Sequence, residues 1–157
     1  MTTTEQDLQA PASQAAPTEG LPRVQLGLNV GNIDEAVEFY SKLFGAEPHK
    51  RREGYANFAL TNPPLKLVLF ENDKAPGTLN HLGVEVAEIT DVNEARTRIE
   101  AAGLTATHDE NGVCCHAEQD KVWIDAPDGV GWEYYTITDD NPVISTLEYS
   151  GSACCSS

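Results

Sequence analysis

The sequence repeats itself about halfway along, and this repeat constrains the fold more than any other feature. Residues 81–86 (HLGVEV) correspond position by position to residues 25–30 (QLGLNV). In both segments apolar residues alternate with polar or small residues, which is typical of a strand with one buried face. An internal duplication explains this agreement, and it predicts two copies of one structural unit.

The elements expected after each opening strand follow the same order. In the first copy, apolar residues at helical spacing run from Ile33 to Phe44 and Gly45 ends the helix. In the second copy, the corresponding residues run from Val92 to Ala102 and Gly103 ends the helix. Three strands are expected after each helix, over residues 46–50, 55–60 and 65–71 and over residues 104–108, 121–125 and 131–138. The chain is therefore expected to be an α+β protein of tandem βαβββ modules.

The ends of the chain differ in composition from the repeat. Residues 1–20 contain no Lys or Arg and no apolar core, so we expect a disordered lead-in and not a signal peptide. Residues 21–138 are expected to form one domain, with modules over 21–72 and 78–138. Residues 139–157 are expected to be a flexible tail that contains cysteines.

The net charge and the cysteine content limit which partners the protein is expected to bind and in which cell compartment it is expected to occur. The 10 basic and 25 acidic residues give a net charge of −15, which disfavours nucleic acid and anionic membranes as partners. No apolar run approaches the length of a membrane span. Without an export signal, we expect a cytoplasmic protein whose four cysteines are free thiols.

These tandem modules, opened by residues 26–30 (LGLNV) and 38–45 (EFYSKLFG), resemble the vicinal-oxygen-chelate superfamily. That superfamily includes glyoxalase I, bleomycin-resistance proteins and extradiol dioxygenases. The resemblance covers roughly residues 23–138 and implies a curved mixed sheet around a metal cavity. Members often dimerise, but one chain here already carries both modules, so a monomer and a homodimer both remain open.

The resemblance implies one metal site. Strand alternation places Gln25 and His81 on the face opposite the apolar residues, and the pseudo-twofold relation between the copies brings them together. Superfamily members carry ligands at these positions and at Glu133, so Gln25, His81 and Glu133 are the expected ligands. Such a set suits Fe(II), Zn, Ni or Co. Taken singly, each residue is better explained as an ordinary polar side chain of a strand, and only the combination of the three favours a metal site.

The reaction depends on a fourth position. Glyoxalase I usually takes another ligand from the symmetry mate of Glu133, which we expect at or beside Lys66, and an ammonium group does not ligate. Three protein ligands leave positions open for dioxygen and substrate, as in non-haem Fe(II) oxygenases. Gln25 departs from the His of dioxygenases and occurs in some glyoxalases, so the ligands alone leave the reaction open.

All four cysteines occur as adjacent pairs. Cys114 and Cys115 are expected in a loop over 112–116, and Cys154 and Cys155 near the chain end. A bridge between neighbours needs a strained ring, whereas two adjacent thiolates can fill the free bonds of an organic As(III) compound. The alternative is that the cysteines are adjacent by chance. For Cys154 and Cys155, the alternative is that they belong to a dispensable tail.

Several short segments narrow the resemblance further. These segments and the pair Cys114–Cys115 resemble the cadmium-induced proteins and the arsenic-inducible carbon–arsenic lyases of this superfamily. The segments are residues 57–59, 63–69, 78–86 and 119–123. The activity so implied is Fe(II)- and dioxygen-dependent cleavage of the carbon–arsenic bond in compounds such as methylarsenite, releasing arsenite.

The resemblance also suggests roles for individual residues. His81 and Glu133 would be catalytic, and Cys114 and Cys115 would bind the arsenic. Lys121 and Tyr135 are possible cavity-lining residues, and Cys154 and Cys155 possible accessory thiols. Two alternatives remain: a cadmium- or arsenite-binding protein without turnover, and a glyoxalase-type enzyme for an unrelated substrate.

Overall fold

A computed structural model describes residues 21–114 and 116–143. The expected lead-in over residues 1–20, the tail from residue 144 onwards, and Cys115, Cys154 and Cys155 lie outside the described residues. The first module consists of β1 (Arg23–Val30), α1 (Ile33–Phe44), β2 (Lys50–Arg52), β3 (Tyr55–Thr61) and β4 (Pro64–Glu71). The second consists of β5 (Leu79–Glu85), α2 (Ile89–Ala101), β6 (Thr107–Cys114), β7 (Ala117–Asp125) and β8 (Gly131–Asp139). The predicted tandem βαβββ arrangement is confirmed.

All eight described strands form one mixed sheet, in the order β2-β3-β4-β1-β5-β8-β7-β6. The two opening strands β1 and β5 are antiparallel neighbours at its centre. Each opening strand also lies parallel to the last strand of its own module. This arrangement brings the duplicated segments 25–30 and 81–86 side by side, as the repeat predicts.

The helices cover the sheet face that carries the apolar residues. Ile33 and Val37 of α1 pack with Phe58, Leu67 and Leu69 in one core. A second core under α2 is made of Val86, Val92, Ala95, Ile99 and Val122. Gly45 and Gly103 both adopt positive φ just after the helices, which confirms the predicted helix ends. Neither described helix combines the length and apolar character needed to cross a membrane.

Three strand predictions were wrong in their bounds. The strand expected over 46–50 lies at Lys50–Arg52, and the strand expected over 104–108 lies at Thr107–Cys114. The strand expected over 121–125 already begins at Ala117. Pairing between β6 and β7 extends to Cys114 and Ala117. Several polar residues here have low strand propensity, and the hydrogen bonds to the neighbouring strand keep them in strands nevertheless. Cys114 therefore ends a strand, and the described His116 lies in a turn directly before β7.

A candidate metal centre beside a cysteine-bearing turn

The sheet face opposite the helices carries a buried polar cluster. Gln25, His81 and Glu133 are 4%, 2% and 3% exposed, whereas the apolar Val24 of the same strand is 50% exposed. The polar face of the opening strands is thus the more deeply buried one, because the curled sheet encloses it. Buried polar groups need partners, and a cluster of this kind is a candidate functional site.

The structure brings the three expected ligands together. Gln25 Nε2 lies 2.9 Å from His81 Nε2 and donates to Glu133 Oε1 at 2.6 Å. His81 Nε2 lies 3.4 Å from the same carboxylate oxygen. An ion bound about 2.1 Å from each of three donors needs them about 3 Å apart, so the triangle has the size of a metal-binding face. A half-turn of the Gln25 amide puts its oxygen in the place of Nε2.

Two observations test whether these residues fit a metal ion. The described chain contains no cluster of three His, Cys, Asp or Glu side chains, so a site here requires the amide oxygen of Gln25. The second oxygen of Glu133, Oε2, is buried without a hydrogen-bond partner in the described residues. A buried carboxylate oxygen with spare acceptor capacity, beside an imidazole and an amide, fits a divalent ion.

Glycines on the neighbouring strand make room for the candidate ligands. Gln25 pairs with Gly83, and His81 pairs with Gly27. A Cβ atom on Gly83 would lie 3.0 Å from Glu133 Cγ, and one on Gly27 would lie 3.2 Å from His81 Cε1. The duplicated ligand-x-Gly pattern thus has a steric reason, since any side chain at either glycine would crowd a candidate ligand.

A chain of amides orients the His81 ring. His81 Nδ1 lies 2.7 Å from Asn80 Oδ1, and Asn80 Nδ2 donates to Asn29 Oδ1 at 3.0 Å. Asn29 Nδ2 in turn donates to Thr78 Oγ1 at 3.0 Å. Because Asn80 offers an oxygen, Nδ1 carries the proton and Nε2 keeps its lone pair for a metal. Asn80 was missed in the sequence, where its position beside His81 was the only available signal.

Tyr135 lies on the other side of Gln25. Its hydroxyl donates to Gln25 Oε1, and Lys66 Nζ lies 5.3 Å from the centre of its ring. Burial, followed by the negative charges of Glu85 and Glu133, raises the pKa of the Tyr135 phenol well above its ordinary value. The phenol therefore stays protonated and can fix the orientation of the Gln25 amide. Glu85 also contacts Arg23 Nε at 2.8 Å, so this charge is compensated.

Lys121 lies beside Glu133. Its side chain is 4% exposed, and Nζ lies 3.8 Å from Glu133 Oε2. Burial alone raises the pKa of the Glu133 carboxyl, but the hydrogen bond to His81 and the charge of Lys121 outweigh burial, so its pKa lies below the ordinary value. Glu133 is therefore ionised at neutral pH, as a ligand must be. Lys121 is therefore a buried neighbour of the candidate ligands and not a surface residue.

The symmetry mate of Glu133 is Val68 and not Lys66. Glu133 pairs with Gly83, and the corresponding pair in the first module is Gly27 with Val68. Lys66 lies two residues earlier and contacts Glu85 at 3.4 Å. The symmetry mate was predicted at or beside Lys66 because the two copies were aligned by sequence. The pairing register of the strands determines which residue corresponds to Glu133, and this residue is Val68. A valine side chain has no ligand atom, so the site keeps three candidate protein ligands.

The expectation of free thiols is wrong for Cys114. Cys114 is 3% exposed and disulfide-bonded in the structure. The other three cysteines lie outside the described residues, so the partner of this bond does too. Gln119 Nε2 donates to the Cys114 carbonyl oxygen at 3.2 Å and fixes this end of β6.

A small cavity is lined by two of the candidate ligands and by residues of β7 that follow the cysteine-bearing turn. Its volume is about 10 Å³, and its lining includes Gln25 and Glu133 on one side and Ala117 and Gln119 on the other. Asn57 Oδ1 and Gln119 Oε1, which belong to two of its lining residues, are buried without hydrogen-bond partners in the described chain. A volume of this size holds about one water molecule. The start of β7 therefore lies close to Gln25 and Glu133 and leaves little free space.

Aromatic rings flank His81 on the same face. The centres of Phe70 and Trp123 lie 5.9 and 5.4 Å from the His81 ring. Tyr55 lies 5.7 Å from Phe70 and 5.0 Å from the ring of His116, which belongs to the turn. Burial, with the charges of Arg52 and Lys50, lowers the pKa of His116, so this ring is neutral at pH 7. The rings form an apolar wall, which sequence alternation alone did not distinguish from ordinary core.

Comparison with known proteins gives a family and two groups of similar proteins. Residues 21–134 match the model of the "Glyoxalase/Bleomycin resistance protein/Dioxygenase superfamily". The chain is 47% identical over 142 residues to the cadmium-induced protein CadI of Mycobacterium tuberculosis, with 86% of this chain and 93% of that protein covered. It is 45% identical over 136 residues to the trivalent organoarsenical cleaving enzyme of Thermomonospora curvata, with 86% and 89% covered.

Solved structures agree in fold. Homoprotocatechuate 2,3-dioxygenase from Arthrobacter globiformis superposes with a TM-score of 0.58 at 16% identity, with 82% of this chain and 40% of that chain covered. At this identity the likeness concerns the fold alone.

Proposed function

Because the chain belongs to the glyoxalase/bleomycin resistance protein/dioxygenase superfamily, we propose that it is an Fe(II)- and dioxygen-dependent carbon–arsenic lyase. Its substrates would be trivalent organoarsenicals, and methylarsenite with one dioxygen molecule would give arsenite and formaldehyde. One observation carries the proposal: Gln25 and Glu133 of the buried triangle line a small cavity together with Ala117, the residue of β7 that directly follows the cysteine-bearing turn. A relative at 45% identity is named for cleavage of trivalent organoarsenicals, which supports the same substrate class.

The three candidate ligands have different parts in this proposal. Glu133 would supply negative charge to the ion. Lys121 Nζ lies 3.8 Å from Glu133 Oε2 and partly neutralises this charge. His81 presents Nε2 because Asn80 holds its Nδ1. Gln25 supplies a neutral oxygen once its amide turns, and Tyr135 then accepts from the amide nitrogen. Fe(II) in this site, with Co, Ni or Zn as possible substitutes, supplies activation of dioxygen next to the carbon to be released.

The cysteine pair would hold the arsenic. Each thiol of Cys114 and Cys115 replaces one hydroxyl of methylarsenite, so two As–S bonds form and two water molecules leave. Arsenic keeps its oxidation state in this step, and its methyl carbon is the only group left to cleave. The disulfide at Cys114 blocks this exchange, so a thiol reductant has to open it first. Capture then places the carbon–arsenic bond near the candidate metal centre.

The aromatic wall would keep bulk water away from this bond. Phe70 and Trp123 flank His81. Cys154 and Cys155 are proposed to be accessory thiols that deliver the metalloid or take up the product. We further propose that the protein acts in the cytoplasm, where reduced thiols are maintained.

A second candidate function is binding of cadmium or arsenite without turnover. The name of the cadmium-induced relative at 47% identity favours it, since a thiol pair alone suffices for sequestration. The two functions differ in what they need from the triangle: the His81→Ala variant keeps binding under the second function and loses the reaction under the first. A glyoxalase-type reaction would instead tolerate the Cys114→Ser change.

The test is aerobic incubation of the reduced, Fe(II)-loaded protein with methylarsenite, followed by separation of the arsenic species. We expect arsenite to appear, and to be absent without dioxygen and in the His81→Ala and Cys114→Ser variants. The matched control is the Lys42→Met variant, because Lys42 pairs with Glu38 on the exposed face of α1, away from the candidate metal centre, and should keep full activity. Recovery of intact methylarsenite from the loaded, reduced protein would contradict the lyase and favour sequestration.

A further inference from the structure

The small cavity beside the candidate metal centre gathers buried polar atoms that have no partner. Within the described residues, four buried side-chain nitrogen or oxygen atoms lack a hydrogen bond. Three of them, Asn57 Oδ1, Gln119 Oε1 and Glu133 Oε2, belong to residues that line this cavity, and the fourth is Ser41 Oγ of α1. Such atoms are costly to bury unpaired. Their concentration around one cavity indicates a binding site for a hydrogen-bond donor.

The orientation of two amides leaves acceptor oxygens for this ligand. Gln119 Nε2 donates to the carbonyl oxygen of Cys114 at 3.2 Å, and because a carbonyl only accepts, Oε1 is the end without a partner. Asn57 Nδ2 donates to the Tyr55 hydroxyl at 2.8 Å, which leaves Oδ1 in the same way. Asn57 and Gln119 are 3% and 4% exposed, so bulk water does not satisfy these oxygens.

Lys66 adds a donor to the same lining. It is 5% exposed, and its ammonium group carries three hydrogens. Among the described residues it donates to Glu85 Oε1 at a long distance of 3.4 Å, and Nζ lies 5.3 Å from the centre of the Tyr135 ring. Lys66 therefore keeps a hydrogen for a ligand that is an acceptor as well as a donor.

The charges and the size of the cavity select a neutral ligand. The lining contains two lysines, Lys50 and Lys66, and two carboxylates, Glu133 and Asp140. Lys50 and Asp140 pair at 2.7 Å, and the formal charge of the whole lining is zero. An ion in the cavity would add an uncompensated buried charge. A volume of about 10 Å³ admits about one oxygen atom with its hydrogens.

We propose that this cavity is a subsite for one neutral hydroxyl oxygen, which accepts from Lys66 and donates to Asn57 or Gln119. Water is the occupant of the resting protein. During the reaction the occupant is the hydroxyl group that arsenic acquires, and this part rests on the proposed lyase function. A site that hydrogen-bonds a hydroxyl group rejects a methyl group in its place, since its buried polar atoms would stay unpaired.

The balance of the proposed reaction supplies this hydroxyl group. The carbon–arsenic bond breaks, one oxygen atom of dioxygen leaves with the carbon as formaldehyde, and the other stays on arsenic. It takes up one hydrogen of the methyl group, so the carbon is oxidised, dioxygen is reduced and arsenic remains trivalent. Product and substrate thus differ by one hydroxyl group in place of one methyl group, which is the difference that the subsite recognises.

A crystal structure of the reduced, metal-free parent protein, at a resolution that shows ordered water, tests the resting occupant. We expect one water molecule within hydrogen-bonding distance of Lys66 Nζ and of Asn57 Oδ1 or Gln119 Oε1. A cavity without density, or one that holds a metal ion or an anion, would overturn the proposal.

The affinities for arsenite and methylarsenite, measured without dioxygen in the reduced full-length protein, test recognition of the hydroxyl group. The Asn57→Leu and Gln119→Met variants each remove one acceptor at nearly the same side-chain size. Because one hydrogen bond between neutral groups is worth about fivefold in affinity, arsenite should bind about fivefold more weakly to at least one variant. Methylarsenite should bind as it does to the parent. The ratio of the two affinities is the readout, since general loosening would weaken both ligands alike.

The matched control is the Asn93→Leu variant. Asn93 is exposed on α2, so the same change of side chain removes no atom from the lining of the cavity. Its affinity ratio should equal that of the parent protein. A parental ratio in both Asn57→Leu and Gln119→Met, or an equal change in Asn93→Leu, would contradict the hydroxyl subsite.

Lys66→Met covers the case in which the amide variants do not fold. Glu85 keeps Arg23 Nε at 2.8 Å as its partner in this variant, so no buried carboxylate is left unpaired. Because a charged donor makes the stronger hydrogen bond, the affinity ratio should fall about tenfold. An unchanged ratio would exclude Lys66 as the donor and overturn the proposal.

Turnover separates this proposal from the proposed function. If the parent protein does not cleave methylarsenite, the lyase proposal fails, while the crystal structure and the affinity ratios still decide whether the subsite exists. If the parent protein cleaves it and the ratio is parental in all three lining variants, the subsite proposal fails alone.

Discussion

At the scale of single residues, the candidate metal centre depends on neighbours that hold the ligands still. Asn80 is not one of the candidate ligands, yet its oxygen decides which nitrogen of His81 is free. Tyr135 has a similar effect on Gln25. Its buried hydroxyl stays protonated, so it can donate to the amide oxygen in one orientation of Gln25 and accept from the amide nitrogen in the other. These two residues make a neutral amide and an imidazole suitable as ligands.

The first prediction concerns Asn80. The Asn80→Ala change should weaken Fe(II) binding by about 10- to 100-fold, because removal of a partner behind a ligating histidine has effects of this size. Titration of the reduced protein with Fe(II) under anaerobic conditions measures it. Asn93, which is exposed on α2, provides the control, and its change to Ala should have no effect. Equal affinities in the parent and Asn80→Ala proteins would contradict the proposed role of the His81 ring.

At the scale of secondary-structure elements, each opening strand contributes core residues on one face and candidate ligands on the other. In β5, Val84 packs in the core under α2 while Gly83 and His81 lie on the opposite face. Strand alternation is what allows a core and a ligand set to be built from the same seven residues. The β6–β7 hairpin extends this principle, since Cys114 is placed by strand pairing and not by a flexible loop.

The second prediction concerns Gly83. In the Gly83→Ala variant the new Cβ would meet Glu133 Cγ at 3.0 Å and the Glu133 carbonyl oxygen at 3.2 Å, so Glu133 has to move. We expect a loss of about 1–3 kcal/mol in the free energy of unfolding and weaker metal binding. Urea denaturation and Fe(II) titration measure the two effects.

Gly31 is the matched control for this change. A Cβ there would meet only Pro76 Cβ at 3.4 Å, away from the candidate ligands. Gly31→Ala should therefore keep full metal affinity. If both variants bind Fe(II) as the parent protein does, Gly83 is not required to make room for Glu133.

At the scale of the whole molecule, the curled sheet is closed by charged groups across its open side. Asp140 follows the last strand, and it contacts Lys50 and His49 at the start of β2. Burial alone raises the pKa of Asp140, but the hydrogen bonds from Lys50 and His49 outweigh it and hold its pKa below the ordinary value of 3.8. The ionised carboxylate therefore stabilises the closed shape at neutral pH.

The third prediction follows from the sign of this shift. A carboxyl whose pKa is lowered by folding stabilises the protein above its unfolded pKa, and this contribution disappears as the pH falls through the folded pKa. At pH 7 the parent protein should exceed Asp140→Asn by about 1 kcal/mol in the free energy of unfolding. Urea denaturation between pH 7 and pH 3 should show the difference shrinking below about pH 4. A difference that stays constant with pH would contradict a role for the Asp140 charge.

The duplication, the helix ends at Gly45 and Gly103, and the juxtaposition of Gln25 with His81 could all be predicted from the sequence. Each of these depends on periodicity or on short-range backbone preference, which neighbouring residues express by themselves. The family resemblance then added Glu133, whose strand was correctly expected although nothing local to it indicates a ligand.

Other features were decided only by the tertiary structure. The mate of Glu133 is Val68 because strand register, and not alignment of the copies, determines which side chains correspond. Cys114 is the buried last residue of a strand because β7 pairs with it, and Lys50 meets His116 because the sheet curls until its edges approach. Local sequence fixes which face of a strand a residue occupies. Contacts between residues distant in sequence depend on register and curvature, which result from the packing of the whole chain.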